Sequence, residues 1–308
     1  MRKPRIGMIG LGNIAQKAYL PILTKETDWT LVGAFSPSKE KRKIICNQYR
    51  IQDFHSLENL SQACDAIFVH SSTSSHYEVV SSLLTKGLDV YVDKPLAATI
   101  HEAEKLVELS EKAGRKLMVG FNRRFAPLYV RVKEQAHNIA SVRFEKHRTD
   151  SLGPYSYEFR MLDDYLHLVD TIRWLADGDL NVLHGTIHKS LEEYLVYAGH
   201  IYQSNQGTLF FTEMHRKAGT NLEKLELLTE GAILRVKNMN TLEIESNNTT
   251  VTSVSPSWDT TLKQRGFEDA IQHFIGCIQN DQKPLVDGLE GLKSQRLVEQ
   301  LIKKQLDK

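Results

Sequence analysis

Two short stretches carry the residues best equipped for chemistry. The first is Asp89-Val90-Tyr91-Val92-Asp93-Lys94-Pro95. Val90, Tyr91 and Val92 are β formers, and Pro95 cannot donate to a sheet ladder, so this reads as a short buried strand that stops at the proline. The proline also holds Lys94 extended. A charge fixed at the carboxyl end of a parallel strand sits where open α/β sheets bind ligands. In isolation the same lysine reads more readily as a solvated residue in a strand-to-helix turn. The second stretch runs from Asp163 to Leu175, with Asp163, His167, Asp170 and Trp174 at i, i+4, i+7 and i+11. That spacing puts them on one helix face. A carboxylate one turn before a histidine can orient the ring and tune its pKa. Acids placed to suit the helix macrodipole, beside one half-buried histidine, account for the same pattern without any chemistry.

The elements that must position Lys94 come before it. Arg5–Ile9 is a buried strand, followed by Gly10-Leu11-Gly12-Asn13-Ile14-Ala15 and a helical pattern to about Leu23. Strand, glycine turn and helix form the context in which such glycines bind a dinucleotide. Gly10 permits the tight turn, Gly12 lets a pyrophosphate approach the backbone, and Ala15 keeps the helix close to the sheet. The helix N–H groups, from Asn13 and Ile14 onward, face the anion. The second strand, about 30–35, ends in Ser36-Pro37-Ser38-Lys39, with Arg42 one turn on. Ser36 reads as an N-cap and Pro37 as the first helical residue. No acid stands where an NAD enzyme grips the ribose 2′-hydroxyl, so NADP(H) is favoured over NAD(H), with Ser36, Ser38, Lys39 and Arg42 around a 2′-phosphate. A strand over 65–70 leads into Ser71-Ser72-Thr73-Ser74-Ser75-His76, where Ser71, Ser72 and Thr73 can meet the cofactor. His76 either touches the nicotinamide ribose or packs and caps the next helix. Asp93, Lys94 and Pro95 complete this cofactor edge. A helix over 99–113 and a strand over 116–120 continue the alternation, which implies a doubly wound parallel sheet.

The rhythm breaks at Phe121-Asn122-Arg123-Arg124-Phe125-Ala126-Pro127. The division expected is therefore 1–120 for a dinucleotide-binding domain and 121–308 for substrate binding and oligomerisation. Eight strands follow at about 141–148, 182–189, 195–202, 207–215, 222–229, 233–236, 241–245 and 250–254. Turn signals such as Ser204-Asn205-Gln206-Gly207 separate them. They imply an α+β domain with a large, open, mostly antiparallel sheet. Helices at about 267–279 and 289–306 close the chain. Apolar side chains at Tyr194, Leu195, Tyr197, Ile201, Phe210 and Phe211 would leave the uncovered sheet face in need of a partner, so a homodimer or larger homo-oligomer through this sheet is expected.

With 308 residues, 39 Lys plus Arg against 38 Asp plus Glu and a net charge of +1, nothing marks a nucleic-acid surface. The 41% hydrophobic share fits a folded protein without a run of the ~18 apolar residues that span a bilayer. Met1-Arg2-Lys3-Pro4 leads straight into a strand, with no signal-peptide core. Cys46, Cys64 and Cys277 show no metal spacing and read as reduced thiols of a cytoplasmic protein.

Taken together, the two stretches resemble the Gfo/Idh/MocA oxidoreductases. Asp93-Lys94-Pro95 is similar to their Glu-Lys-Pro signature, with aspartate for the usual glutamate. Asp163-x-x-x-His167-x-x-Asp170 is similar to their second signature. Val92 to Pro95, Gly120 to Pro127 and Leu162 to His167 bring the chain nearest the MviM-type subgroup. The resemblance implies hydride transfer between a nicotinamide cofactor and a hydroxyl or carbonyl carbon of a sugar, polyol or sugar derivative. It also implies a cis Lys94–Pro95 peptide. His167 then serves as acid/base, Lys94 stabilises the reacting oxygen, and Asp163 holds a substrate hydroxyl or the His167 ring. Asp170 orients or is structural. Arg123 is expected at the cofactor, and Asn122, Arg124 and Tyr155 at the substrate. Arg148, Arg160 and Tyr157 are nearby candidates, although each arginine is as readily a paired structural residue. The rival class is a non-catalytic dinucleotide sensor on the same fold.

Overall fold

In the computed structural model, which describes residues 3–25 and 28–306, the chain forms two compact units. Met1 and Arg2, on which part of the signal-peptide reading rests, lie outside the described residues. One unit holds 1–121 with 267–293, and the other holds 122–266 with 294–308.

The first unit is a six-stranded sheet. Its strands are β1 (Arg5–Ile9), β2 (Thr30–Phe35), β3 (Gln52–Asp53), β4 (Ala66–Val69), β5 (Asp89–Val92) and β6 (Leu117–Val119), in the order β3-β2-β1-β4-β5-β6. Every pairing is parallel. β4 and β5 are buried at every residue, as strands covered on both faces must be. The helix Ile100–Ala113 begins with a capping box between Thr99 and Glu102, a device whose loss typically costs about 1 kcal/mol. The segment 267–293, read above as part of the second domain, packs in this unit. Phe274 meets Phe68 and Tyr91 edge-on at 5.5 and 5.6 Å, and Met118 bridges Asp287. The connectivity breaks at Phe121, but the unpaired sheet face still needs apolar cover, and the late helix Phe267–Gln279 supplies it.

The second unit is built on eight strands. They are β7 (Ile139–His147), β8 (Leu180–Lys189), β9 (Leu195–Ser204), β10 (Leu209–His215), β11 (Leu222–Thr229), β12 (Ala232–Lys237), β13 (Thr241–Ser246) and β14 (Thr249–Val254). Their order is β14-β13-β12-β11-β7-β10-β9-β8. Only β7 and β10 run parallel, so the sheet is mostly antiparallel. The helix Leu166–Ala176 packs on β7 and β10, and Pro127–Gln135 on β12. Under them lie Val142, Phe144, Tyr202, Phe210, Leu225 and Val236, all buried.

The opposite face differs from expectation. Leu195 and Phe210 are 0% and 1% exposed. Phe210 points inward opposite to Phe211, as alternation along a strand requires, and at Leu195 a register irregularity in the β8–β9 pairing interrupts the alternation that Tyr197 and Ile201 follow. The open face carries a lattice of ion pairs instead. Arg143 meets Glu213 at 3.2 Å, Lys224 meets Glu145 at 3.2 Å, Lys237 meets Glu243 at 2.8 Å, and Arg235 lies between Glu226 and Glu245. Tyr197, Ile201 and Phe211 form a smaller apolar strip of half-buried residues beside it.

Candidate active site

Three loops meet at the carboxyl end of the parallel strands. Gly10 has φ +88°, and a Cβ there would lie 2.5 Å from the backbone of His70 and Ser71. Only glycine allows this approach, so the glycine loop lies directly on the serine loop. Gly12 faces open space, with nothing within 4 Å of a Cβ position. This is the clearance a pyrophosphate requires, and the residues present fit a dinucleotide. After Gly12 the helix opens with a π-helical turn over Ala15–Tyr19 before the α-turn Leu20–Leu23. Asn13 and Ile14 are exposed at its start, and Ala15 is buried.

At the end of β2 the details shift. The helix Lys39–Tyr49 is preceded by Ser38 as N-cap, not Ser36, and Ser36 is 8% exposed. The Ser36 carbonyl accepts from Arg42 Nη1 at 2.9 Å, and Arg42 Nε donates to Asp53. The acid absent from β2 thus arrives from β3, and it occupies the arginine expected at a 2′-phosphate. Asp53 was missed because a two-residue strand leaves no periodicity to read. Ser38 and Lys39 remain exposed.

Ser72 and Thr73 keep partly open hydroxyls in the serine loop, where Ser75 Oγ donates to Ser71 Oγ at 2.8 Å. His76 is 1% exposed, and both its ring nitrogens face backbone carbonyls. Of its two readings, the one in which it packs is the one that fits this burial. At the end of β5, Asp93 Oδ1 accepts from the Lys94 amide at 2.9 Å. The Lys94–Pro95 peptide is cis. Asp93 and Lys94 are half-buried and Pro95 is buried.

In the second unit, Asp163 lies within a π-helical turn, Met161–Tyr165, and His167 in the α-helix that follows, Leu166–Ala176. Such turns recur at functional sites. Both residues are half-buried, whereas Asp170 and Trp174 are 1% and 9% exposed. The stripe read from spacing therefore runs from the surface into the core. Asp163 meets Arg160 Nη1 at 3.5 Å. Arg160 lies over the rings of Tyr155 and Phe159, which stack 4.5 Å apart. Tyr155 is 49% exposed and Tyr157 is buried.

The two arginines after Phe121 each meet a buried carboxylate. Arg123 donates to both oxygens of Glu223 at 2.7 Å, and Tyr129 donates to the same carboxylate. Burial pushes the Glu223 carboxyl up, but the Arg123 guanidinium outweighs it and holds the group at about 2. Arg124 donates to Asp170 at 3.0 and 2.7 Å, and Ser294 Oγ donates to the same carboxylate at 2.7 Å. Asn122 gives its amide N–H to the Arg265 carbonyl. These side chains, expected at cofactor or substrate, are committed within the protein. For Asp170, read above as orienting or structural, this burial and pairing fit the structural reading.

Asp164 escaped the sequence reading, since spacing cannot tell which of two adjacent acids turns inward. It accepts from Lys146, 18 residues before it, and from Arg216, 52 after it, at 2.6 Å in the second case. Burial raises the Asp164 carboxyl, yet the two cations hold it well below the usual carboxylate range. This anchor fixes the π-turn that carries Asp163. Among the described residues, no group of His, Cys, Asp or Glu is placed to hold a metal, and no helix is long and apolar enough to cross a membrane.

These features have close counterparts. Residues 4–121 match the oxidoreductase family with an NAD-binding Rossmann fold, Gfo/Idh/MocA, and residues 127–247 match the YceM-like C-terminal domain. The chain is 48% identical over 301 residues to YceM of Salmonella typhimurium, covering 98% of each. It belongs to the Gfo/Idh/MocA oxidoreductases. The crystal structure of the dehydrogenase MviM from Clostridium difficile superposes with a TM-score of 0.96 at 47% identity, over 98% of this chain and 99% of that one. An inositol 2-dehydrogenase/D-chiro-inositol 3-dehydrogenase of Halalkalibacterium halodurans is 25% identical over 91% of this chain and 84% of its own length. As a family member the protein is an NAD(P)-dependent oxidoreductase, and its first unit is the nicotinamide cofactor's domain.

Proposed function

We propose that the protein transfers a hydride between a nicotinamide cofactor and a CH–OH or carbonyl carbon of a sugar, polyol or sugar derivative. The observation that carries this is the meeting of the glycine loop, the serine loop and the Asp93-Lys94-Pro95 turn at one end of one parallel sheet. The backbone of Lys94 thus belongs to a turn that adjoins the loops fitted to a dinucleotide, which supports the reading. The similarity to inositol dehydrogenases supports a polyol or sugar as substrate.

Gly10, Gly12, Asn13 and Ile14 would hold the pyrophosphate through backbone N–H groups. Ser71, Ser72 and Thr73 would hold the ribose side. When bound, the cofactor supplies the hydride acceptor or donor. His167 takes the hydroxyl proton in oxidation and returns it in reduction, since its unperturbed pKa lies near working pH. Lys94 hydrogen-bonds the same oxygen and stabilises its developing negative charge. Asp163 receives a substrate hydroxyl or orients the His167 ring, and Tyr155 offers a ring face to the sugar. A panel of polyols and sugars with NADP⁺ and NAD⁺, followed by the absorbance of reduced nicotinamide, tests the reading. Turnover on at least one polyol or sugar is expected. Cofactor binding with no turnover on any member would favour a sensor.

For cofactor preference we infer NADP(H). Support comes from exposed Ser38 and Lys39 and from the engagement of Asp53 by Arg42, which offsets the charge of the acid that β3 brings to this end of β2. Calorimetric titration is expected to give a lower Kd for NADPH than for NADH, and the reverse order would refute the preference. We also infer a homo-oligomer through the open sheet face, now on the narrower ground of Tyr197, Ile201 and Phe211 beside an ion-pair lattice. Charged pairs at an interface favour register over affinity, so the assembly should weaken with salt. Light scattering at micromolar concentration is expected to return at least a dimer mass. A monomer at low salt would contradict it.

A further inference from the structure

His76 opens the helix His76–Thr85, immediately after the serine loop, and is 1% exposed. Its ring spans two separate stretches of backbone. Nδ1 lies 2.9 Å from the Pro95 carbonyl oxygen, and Nε2 lies 3.2 Å from the Ser71 carbonyl oxygen. Both facing atoms are acceptors, so both contacts ask the ring for a proton. Burial disfavours the imidazolium, and a neutral imidazole carries a single N–H. One contact holds the proton, and the shorter one is to Pro95. Pro95 follows Lys94 directly, and the Lys94 amide is already bonded to Asp93 Oδ1. The backbone carrying Lys94 is thus tied at its own N–H by Asp93 and one residue later by His76.

We propose that His76 is a positioning residue for Lys94: as the Nδ1–H tautomer it donates to the Pro95 carbonyl and fixes the turn that carries the lysine beside the serine loop. What Lys94 does once positioned rests on the dehydrogenase reading, while the tie itself does not. A ring that merely fills space would serve in either tautomer. Amide side chains separate the two cases. The amide nitrogen of asparagine reaches roughly the place of histidine Nδ1, and that of glutamine roughly the place of Nε2.

Nitrogen-15 spectra of the full chain, with His76→Asn used to assign the ring, are expected to show Nδ1 protonated. An Nε2–H tautomer overturns the proposal. A second measurement reads Lys94 itself, through competitive acylation of the amines with acetic anhydride followed by mass spectrometry. His76→Asn is expected to match the wild type. His76→Gln is expected to change Lys94 reactivity by roughly 2- to 10-fold, the range that one net hydrogen bond supplies. Equal Lys94 reactivity in all three proteins overturns the proposal, as does a glutamine variant that matches the wild type where asparagine does not. Should a variant fail to fold, the wild-type tautomer decides. Neither measurement needs turnover, so a protein inactive on every polyol would sink the dehydrogenase reading and leave this proposal separately judged.

Discussion

His167→Ala is expected to lower turnover by roughly 10²–10⁴, the contribution of a positioned acid/base, while leaving the affinity for NADPH nearly unchanged. The reason is local. His167 belongs to the second unit, whereas the glycine and serine loops that would hold the cofactor belong to the first, and its backbone is secured in a regular helix where its carbonyl accepts from Thr171 at 2.8 Å. On the proposed reading, removing the ring would delete a proton acceptor and leave intact the elements that would bind the dinucleotide. Steady-state kinetics with the best polyol from the panel, beside calorimetric titration of NADPH, measures both quantities. Unchanged turnover would remove His167 from its role, and a large loss of NADPH affinity would show that the ring contacts the cofactor.

The largest stability effect is expected at Asp170. It is 1% exposed and accepts from Arg124 and Ser294. Asp170→Ala leaves a guanidinium that is itself 3% exposed without its carboxylate. Breaking a buried pair from one side costs about 3–5 kcal/mol. For a unit of this size that is a fall in Tm on the order of 10 °C. Arg124→Met combined with Asp170→Leu should recover most of the loss, because an apolar pair of similar volume removes both desolvation costs. Thermal denaturation of the three variants checks this. A single variant as stable as wild type would mean that the pair is not buried as described.

The elements were easier to read in the sequence than the partners of particular side chains. Strand Thr30–Phe35 and helix Ile100–Ala113 announce themselves by β-branched content, by amphipathic period and by the Thr99–Glu102 cap, all of which are local. The eight strands of the second sheet could be read from alternation and turn residues for the same reason. Arg123 and Arg124 looked like anion ligands because no acid stands beside them in the chain, and Arg42 because β2 ends without one. Their carboxylates are Glu223, Asp170 and Asp53, at separations of 100, 46 and 11 residues. A charge is a ligand or a structural ion according to what folding brings beside it, and composition does not encode that. The two π-turns escaped likewise, since one extra residue in a helix leaves the apolar pattern almost unchanged. Lys94 was legible because a proline and a strand end, both local, fix its backbone.

The measurement that bears most directly on the chemistry is a double-mutant cycle of kcat/KM with Lys94→Ala, His167→Ala and the double variant, on one polyol with NADP⁺. If both side chains act on the same oxygen, the double variant is expected to lose less than the product of the single losses. Losses that multiply, or a His167→Ala protein with full activity, would contradict a shared role at the reacting oxygen.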